Sequence, residues 1–326
     1  MVKLEKQFQK LDESIKGAKR ILITAHKYPD GDALGSVLAL HHALKAKNKL
    51  VSTPYFSDPL PSFKFLPGFG EIKTKFSPKN IDLLLGLDYG DFKRLGREFN
   101  NFSTEKVITI DHHLPSDHRG ILQIVRPDFS STSEILHCFF KKAGIAINKD
   151  IATCLLTGIY TDSGGFKHAV TSSRTLKAAA DLISCGASLS QIIKETTLLK
   201  SPSVLRLWGK ALSRIERDLK TGMVYSLITA NDLRGKNSED LGMGDLAAVI
   251  SMISGAPFTL LLTEHKPNEF RGSLRSEFYH NIDVSKIAKV FGGGGHKLSA
   301  GFEKKGSLDE ILEQIKKAPG VRREIA

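Results

Sequence analysis

The sequence predicts an α/β fold in two parts: an N-terminal, mainly parallel sheet with helices on both faces, then a smaller C-terminal α/β domain around a mixed sheet. Three observations carry this. Short apolar runs alternate with helical patterns through the first part of the chain, as when strands are joined by helical crossovers. Pro202 interrupts a long helical pattern running from Leu189 to Lys220, so one helix ends there and another starts with proline in its first turn. After Lys220-Thr221-Gly222 the order of elements changes. The expected division is a first domain over 1–195, a helical linker over 196–215 and a second domain over 216–326.

Taken in order, Met1–Phe8 mixes charges into an amphipathic helix pattern, unlike a signal peptide. Ile21–Thr24 is a β-prone run, and helical spacing follows over Leu34–Ala46. Between them, the turn Ala25–Ser36 carries His26, Asp30 and Asp32, with Pro29 and Gly31 as breakers. Alone, such a turn reads as a polar loop with capping aspartates. Strands are expected at Leu50–Tyr55, Ile81–Leu87, Lys106–Ile110 and Leu122–Val125, and the breaker-rich loop Asp58–Gly70 as a surface connection. Helices are expected at Ser133–Ala143, Asp150–Tyr160 and Ser172–Ser184. The second domain reads as strands at Met223–Thr229, Phe258–Thr263, Phe270–Ser276 and Ser299–Lys304, with helices at Leu246–Ile253, Val284–Phe291 and Leu308–Lys317.

The ends of these elements bear the chemistry. The run Ile81–Leu87 delivers Asp88, the run Lys106–Ile110 delivers Asp111-His112-His113, and the helix ending at Tyr160 delivers Asp162 before a Gly-rich turn. In an open parallel sheet the carboxyl ends lie along one edge, so these residues converge with those of the opening turn. So many carboxylates in one crevice need cations. Carboxylates with some imidazole suit Mn²⁺ or Mg²⁺, and the absence of nearby cysteine argues against structural zinc. Two metals about 3.5–4 Å apart, sharing a carboxylate and activating a water, suit attack on a phosphate ester or anhydride.

In the second domain, Gly292-Gly293-Gly294-Gly295 removes side chains so that backbone N–H groups can approach an anion, and His296 and Lys297 follow. Upstream, Arg271, Ser273 and Arg275 share one face of a strand by the two-residue period, and arginine favours bidentate phosphate binding.

The net charge of +12 is uneven: residues 1–211 carry 30 Lys and Arg against 20 Asp and Glu. A basic field around an acidic cleft attracts polyanions such as nucleotides or RNA. Cys138, Cys154 and Cys185 form no C-x-x-C pair and fall in apolar, helix-like segments, reading as reduced, buried small hydrophobes of a cytoplasmic protein. No apolar run approaches a membrane span, so no membrane partner is expected.

These residues resemble the DHH phosphoesterase superfamily. Its naming triplet stands here as Asp111-His112-His113. Its first motif stands as His26-x3-Asp30-Gly31-Asp32-Ala33-x-Gly35-Ser36, its second as the Asp88 strand end and its fourth as Gly158–Phe166. The glycine loop resembles that of the family's C-terminal partner, the DHH-associated domain. Length and the pairing of two domains resemble the small nanoRNases that also dephosphorylate pAp (3′-phosphoadenosine 5′-phosphate). The resemblance implies that His26, Asp30 and Asp88 hold one metal and that Asp32, Asp88, His112 and Asp162 serve the other, Mn²⁺ first, with Mg²⁺ or Co²⁺ as substitutes. His113 would act at the scissile phosphate, with Asp111 orienting the histidines. Arg271, Ser273, Arg275, Gly293, Gly294, Gly295 and His296 would grip the nucleotide or its far phosphate, across a cleft between domains. Ser130–Glu134 would be a helix N-cap lining the cleft. After the triplet the family often carries asparagine, where this chain has Leu114-Pro115-Ser116-Asp117; Ser116 could replace part of its hydrogen bonding. The implied activity is hydrolysis of very short RNA to 5′-mononucleotides and removal of the 3′-phosphate of pAp, in a homodimer without other stable protein partners. Rival readings are a phosphodiesterase for linear or cyclic dinucleotides, an inorganic pyrophosphatase, and a non-catalytic nucleotide sensor.

Overall fold

The computed structural model describes residues 2–46, 51–77, 81–114, 117–198, 201–233, 241–295 and 297–321. The chain divides into two compact units, Met1–Leu199 and Lys200–Ala326.

In the first unit, α1 (Val2–Gly17) buries Leu4, Phe8, Leu11 and Ile15 at helical spacing. β1 (Arg20–Thr24), α2 (Gly31–Lys45), β2 (Val51–Tyr55), β3 (Leu83–Leu87), β4 (Val107–Asp111) and β5 (Leu122–Val125) follow. The five strands form one sheet in the order β2-β1-β3-β4-β5, every pairing parallel. β3 and β4 are buried at every position, as strands covered on both faces must be. β2 is an edge strand, which is where Pro54 can sit without breaking a ladder. Side chains alternate strictly. Ile21, Ile23, Leu83 and Leu85 join the core beneath α1, α2, α3 (Thr132–Lys142) and α4 (Lys149–Asp162). Leu22 and Leu84 face the other way, onto Tyr89, Phe92, Leu95 and Phe99. That second face is covered by short 3-10 helices over Phe92–Leu95 and Arg97–Phe99, whose aromatic and leucine side chains replace a long helix. α5 (Ser173–Ser184) and α6 (Leu189–Ile193) complete the helical layer, and a π-helical turn over Lys194–Leu198 follows α6.

Some boundaries differ from the expectation. α2 begins at Gly31, three residues early, because Asp30 caps it by accepting from the N–H groups of Asp32 and Ala33 at 3.0 Å each. The loop over Asp58–Gly70 is more than surface connection, since its Phe63 and Leu66 are buried in the core. Cys154 is buried, and Cys138 and Cys185 are half-buried.

The second unit opens with α7 (Pro202–Ser213), capped by Ser201 with Pro202 in its first turn. The helical pattern does not continue to Lys220: β6 (Glu216–Arg217) pairs instead with β7 (Val224–Ile228). α8 (Ala230–Leu233), α9 (Met243–Ser251), β8 (Phe258–Lys266), β9 (Glu269–Ser276), α10 (Val284–Val290), β10 (Gly294–Gly295), β11 (Ser299–Lys305) and α11 (Leu308–Lys316) follow. The sheet order is β10-β11-β9-β8-β7-β6, mixed, with β7 and β8 parallel. α10 and α11 pack on the face bearing Leu260, Leu262, Phe270 and Leu274. α7 and α9 pack on the face bearing Leu261 and Val224. Among the described residues no helix is long and apolar enough to cross a membrane.

Candidate active site

In the sheet order of the first unit, the chain leaves β1 toward one side and β3 toward the other, so a crevice opens beyond their carboxyl ends. His26 lies just past β1, Asp88 follows β3 directly, and β4 ends on Asp111 with His112 and His113 next. The first turn of α2 adds Asp30 and Asp32, and the last turn of α4 adds Asp162.

Asp88 sits at the middle of this set and is almost wholly buried. Its φ of +49° is a left-handed conformation that few residues other than glycine, asparagine and aspartate tolerate. One carboxylate oxygen lies 3.8 Å from His26 Nε2; the other lies 3.5 Å from His112 Nε2 and 3.3 Å from His113 Nδ1. His26 Nε2 is 3.6 Å from Asp30, and His112 Nε2 is 3.2 Å from Asp162. Three sets of ligand atoms each fall within 4.8 Å of one another: His26, Asp30 and Asp88; Asp88, His112 and His113; Asp32, His112 and Asp162.

Asp32 and Asp111 are held differently. Asp32 accepts from the Thr132 and Ser133 N–H groups at 2.7 and 2.9 Å, so it rests on the positive N-terminus of α3. Asp111 accepts from the N–H groups of Tyr89 and Gly90, from both the N–H and Nδ1 of His113, and from His118 Nε2, all within 3.1 Å. Five donors exhaust its lone pairs, which fits orientation of His113 rather than ligation.

The electrostatics ask for cations. Burial and the Asp88 and Asp162 carboxylates hold the Asp32 carboxyl well above its usual range. Burial, with Asp30 and Asp88 added, pushes Asp162 up to about 7 against the pull of His112. Burial acts the same way on Asp88 but is outweighed by His112 and His113, leaving it well below. Burial lowers His113, yet Asp111 and Asp88 overcome it and raise the imidazole to about 11. Carboxylates and imidazoles converging in a crevice with this charge balance fit hard divalent ions.

The second unit contains a cleft of about 740 Å³, lined by Arg271, Ser273, Arg275, the run Gly292–Gly295 and, from the start of α9, Asp245. Arg271, Ser273 and Arg275 share a face of β9, while Phe270, Gly272 and Leu274 between them are buried. Two glycines of the run are demanded by the backbone: Gly292 has φ +73°, and Gly295 has φ +144° with Ser299 O 2.5 Å from where a Cβ would sit. His296, and Ser116 in the first unit, lie outside the described residues.

The DHH family model, described as its N-terminal domain, matches residues 20–159, and the DHHA1 domain model matches 221–318. The chain is 31% identical over 310 residues to the bifunctional oligoribonuclease and PAP phosphatase NrnA of Thermus thermophilus, covering 94% of this chain and 90% of that one. It belongs to the DHH phosphoesterases. The enzyme of the same name from Mycoplasma genitalium is 29% identical, with 93% and 95% covered. An exopolyphosphatase-related protein from Bacteroides fragilis superposes with a TM-score of 0.86 at 26% identity, covering 96% of this chain and 95% of that one.

Sequence reasoning missed several parts of this DHH phosphoesterase's site. His118, buried beneath Asp111, follows the triplet in a loop without periodicity. The amides of Thr132 and Ser133 reach Asp32 only through tertiary closure; the Ser130–Glu134 stretch reads in the sequence as a helix N-cap, and Ser131 does cap α3. Glu134 itself turns away, buried against Ser130, Arg174 and Thr175.

Proposed function

We propose that this phosphoesterase hydrolyses very short RNA to 5′-mononucleotides and removes the 3′-phosphate of pAp, using two divalent cations, Mn²⁺ foremost. The observation that supports the reading is the gathering of three acid–histidine ligand sets, two of them sharing Asp88 and two sharing His112, at the switch point of the sheet. The relatives named oligoribonuclease and PAP phosphatase supply the substrate class.

His26, Asp30 and Asp88 would hold one ion, and Asp32, Asp88, His112 and Asp162 the other. When bound, such ions supply Lewis acidity at the phosphate and lower the pKa of water. Asp111 fixes the His113 ring through Nδ1. The imidazole so oriented would stabilise the oxygens of the scissile phosphate as charge develops. In the second unit Arg271, Ser273, Arg275 and the N–H groups of Gly293–Gly295 take a further phosphate of the substrate. A pyrophosphatase does not need this second grip, which favours a nucleotide substrate.

The purified protein with Mn²⁺ is offered pAp, a 5′-labelled RNA dimer, linear and cyclic dinucleotides and pyrophosphate. AMP with phosphate from pAp, and mononucleotides from the dimer, are expected. No turnover of either sinks the reading, and hydrolysis of pyrophosphate alone replaces it. Arg275→Ala removes a charged hydrogen-bond donor worth roughly 1.5–3 kcal/mol. It should raise KM for pAp about ten- to hundredfold with kcat nearly unchanged. A pure kcat defect would remove Arg275 from the phosphate grip.

A further inference from the structure

We infer that Arg94 is a further substrate-contacting residue of the first unit: its guanidinium binds a non-bridging oxygen of the phosphoryl group being hydrolysed, beside His113. The inference rests on the reading that phosphate esters are turned over at this sheet edge.

Arg94 lies in the 3-10 turn Phe92–Leu95, six residues beyond Asp88. The turn is anchored, since Phe92 and Leu95 are buried and Asp91 caps it by accepting from the Lys93 N–H at 2.9 Å. The Arg94 backbone is fixed at both ends. Its N–H donates to Asp91 O at 2.8 Å, and its carbonyl accepts from the Lys27 N–H at 2.7 Å. That second bond ties the turn to the loop bearing His26 and Asp30. The side chain is thus delivered from a rigid support to the catalytic edge. Arg94 Nη1 and the His113 ring both lie within 3.5 Å of one point, the place a Cβ on Gly90 would occupy. Glycine at 90 leaves the space in which guanidinium and imidazole come side by side.

The guanidinium is exposed and has no hydrogen bond or ion pair among the described residues. That is unexpected in this neighbourhood. Asp91, three residues earlier, is committed to the Lys93 N–H, and Asp111 is saturated by its five donors. An arginine that meets an acidic crevice on a fixed backbone and pairs with none of it keeps its planar fork for an anion from outside. A tetrahedral phosphoryl group is the anion such a fork matches. A donor aimed where negative charge develops contributes about 10²–10³-fold to turnover.

The test compares wild type, Arg94→Ala and Arg94→Lys with pAp, the RNA dimer and the base-free diester bis(p-nitrophenyl) phosphate. Arg94→Ala should lose about 10²-fold in kcat on every substrate that wild type turns over. Mn²⁺ affinity and Tm should be unchanged, and methylguanidinium or Arg94→Lys should recover part of the loss. Wild-type turnover in Arg94→Ala overturns the inference. So does a loss that accompanies weakened Mn²⁺ binding or a lowered Tm, or one that neither methylguanidinium nor lysine recovers. If wild type cleaves only bis(p-nitrophenyl) phosphate, the substrate reading falls and that diester still decides the role of Arg94. If wild type cleaves nothing, inorganic phosphate binding to the Mn²⁺-loaded protein decides it. Arg94→Ala must then weaken binding about tenfold, and unchanged binding overturns the inference.

Discussion

Asp88→Asn is expected to lower kcat on pAp and on an RNA dimer by at least about 10³-fold, roughly 4 kcal/mol of transition-state stabilisation. Asp88 belongs to two of the three ligand sets and touches His26, His112 and His113. No other carboxylate in the crevice is so placed. The choice of asparagine matters. At φ +49° alanine would add backbone strain to the loss of charge, whereas asparagine accepts the left-handed conformation nearly as well as aspartate. The variant should fold with a near-wild-type Tm, and calorimetric titration should show weaker Mn²⁺ binding. Chelation by EDTA should silence the wild type to the same level. Asp88→Asn retaining a tenth of wild-type turnover, or binding Mn²⁺ unchanged, would remove Asp88 from the centre of the site.

The parallel sheet was legible because its strands are short apolar runs set between helical patterns, and because two of the central runs lead straight into an acidic residue. Asp88 after Leu83–Leu87 and Asp111 at the end of β4 are the two. Once the runs are strands, the edge follows from topology. What was not legible depends on contacts between distant segments. Asp32 is seated on the N-terminus of α3, whose amides come from residues 100 and 101 positions later. His118 reaches Asp111 from an irregular loop. β6 and β10 have two residues each, too few for any period to show, and β10 consists of glycine. Phe63 and Leu66 are buried although breakers surround them, because apolar side chains find the core even from a loop. Gly31, which reads as a breaker beside Pro29, is instead the first residue of α2, and the glycines at 35 and 158 stood within the motifs without a reason that sequence could supply.

That reason leads to the second large effect. Gly158 lies inside α4, where helix propensity alone says that alanine should stabilise by up to about 1 kcal/mol. The packing says the opposite. A Cβ at 158 would stand 2.0 Å from Ser133 Oγ and 2.5 Å from Asp32 Oδ1. On the same interface, a Cβ on Gly35 would stand 2.4 Å from the Cys154 carbonyl, and one on Gly31 2.4 Å from Thr161 Oγ1. α2 and α4 therefore approach at glycine distance, and α4 cannot slide away to make room. Overpacking of a fixed site costs about 1–3 kcal/mol, so Gly158→Ala should come out net destabilising, with Tm lower by several degrees. The strain falls on Asp32, pressing it off the Thr132 and Ser133 amides, so binding of Mn²⁺ at the set formed by Asp32, His112 and Asp162 should weaken as well. Gly209→Ala supplies the contrast. Gly209 is an exposed glycine inside α7 with nothing within 4 Å of its would-be Cβ, so there the same substitution should raise Tm and leave Mn²⁺ binding untouched. Thermal melts and Mn²⁺ titrations of the two variants must therefore diverge in sign. A Gly158→Ala protein that melts above wild type with full Mn²⁺ affinity would mean that the α2–α4 interface yields, and that Asp32 is not held as tightly as its two amide bonds imply.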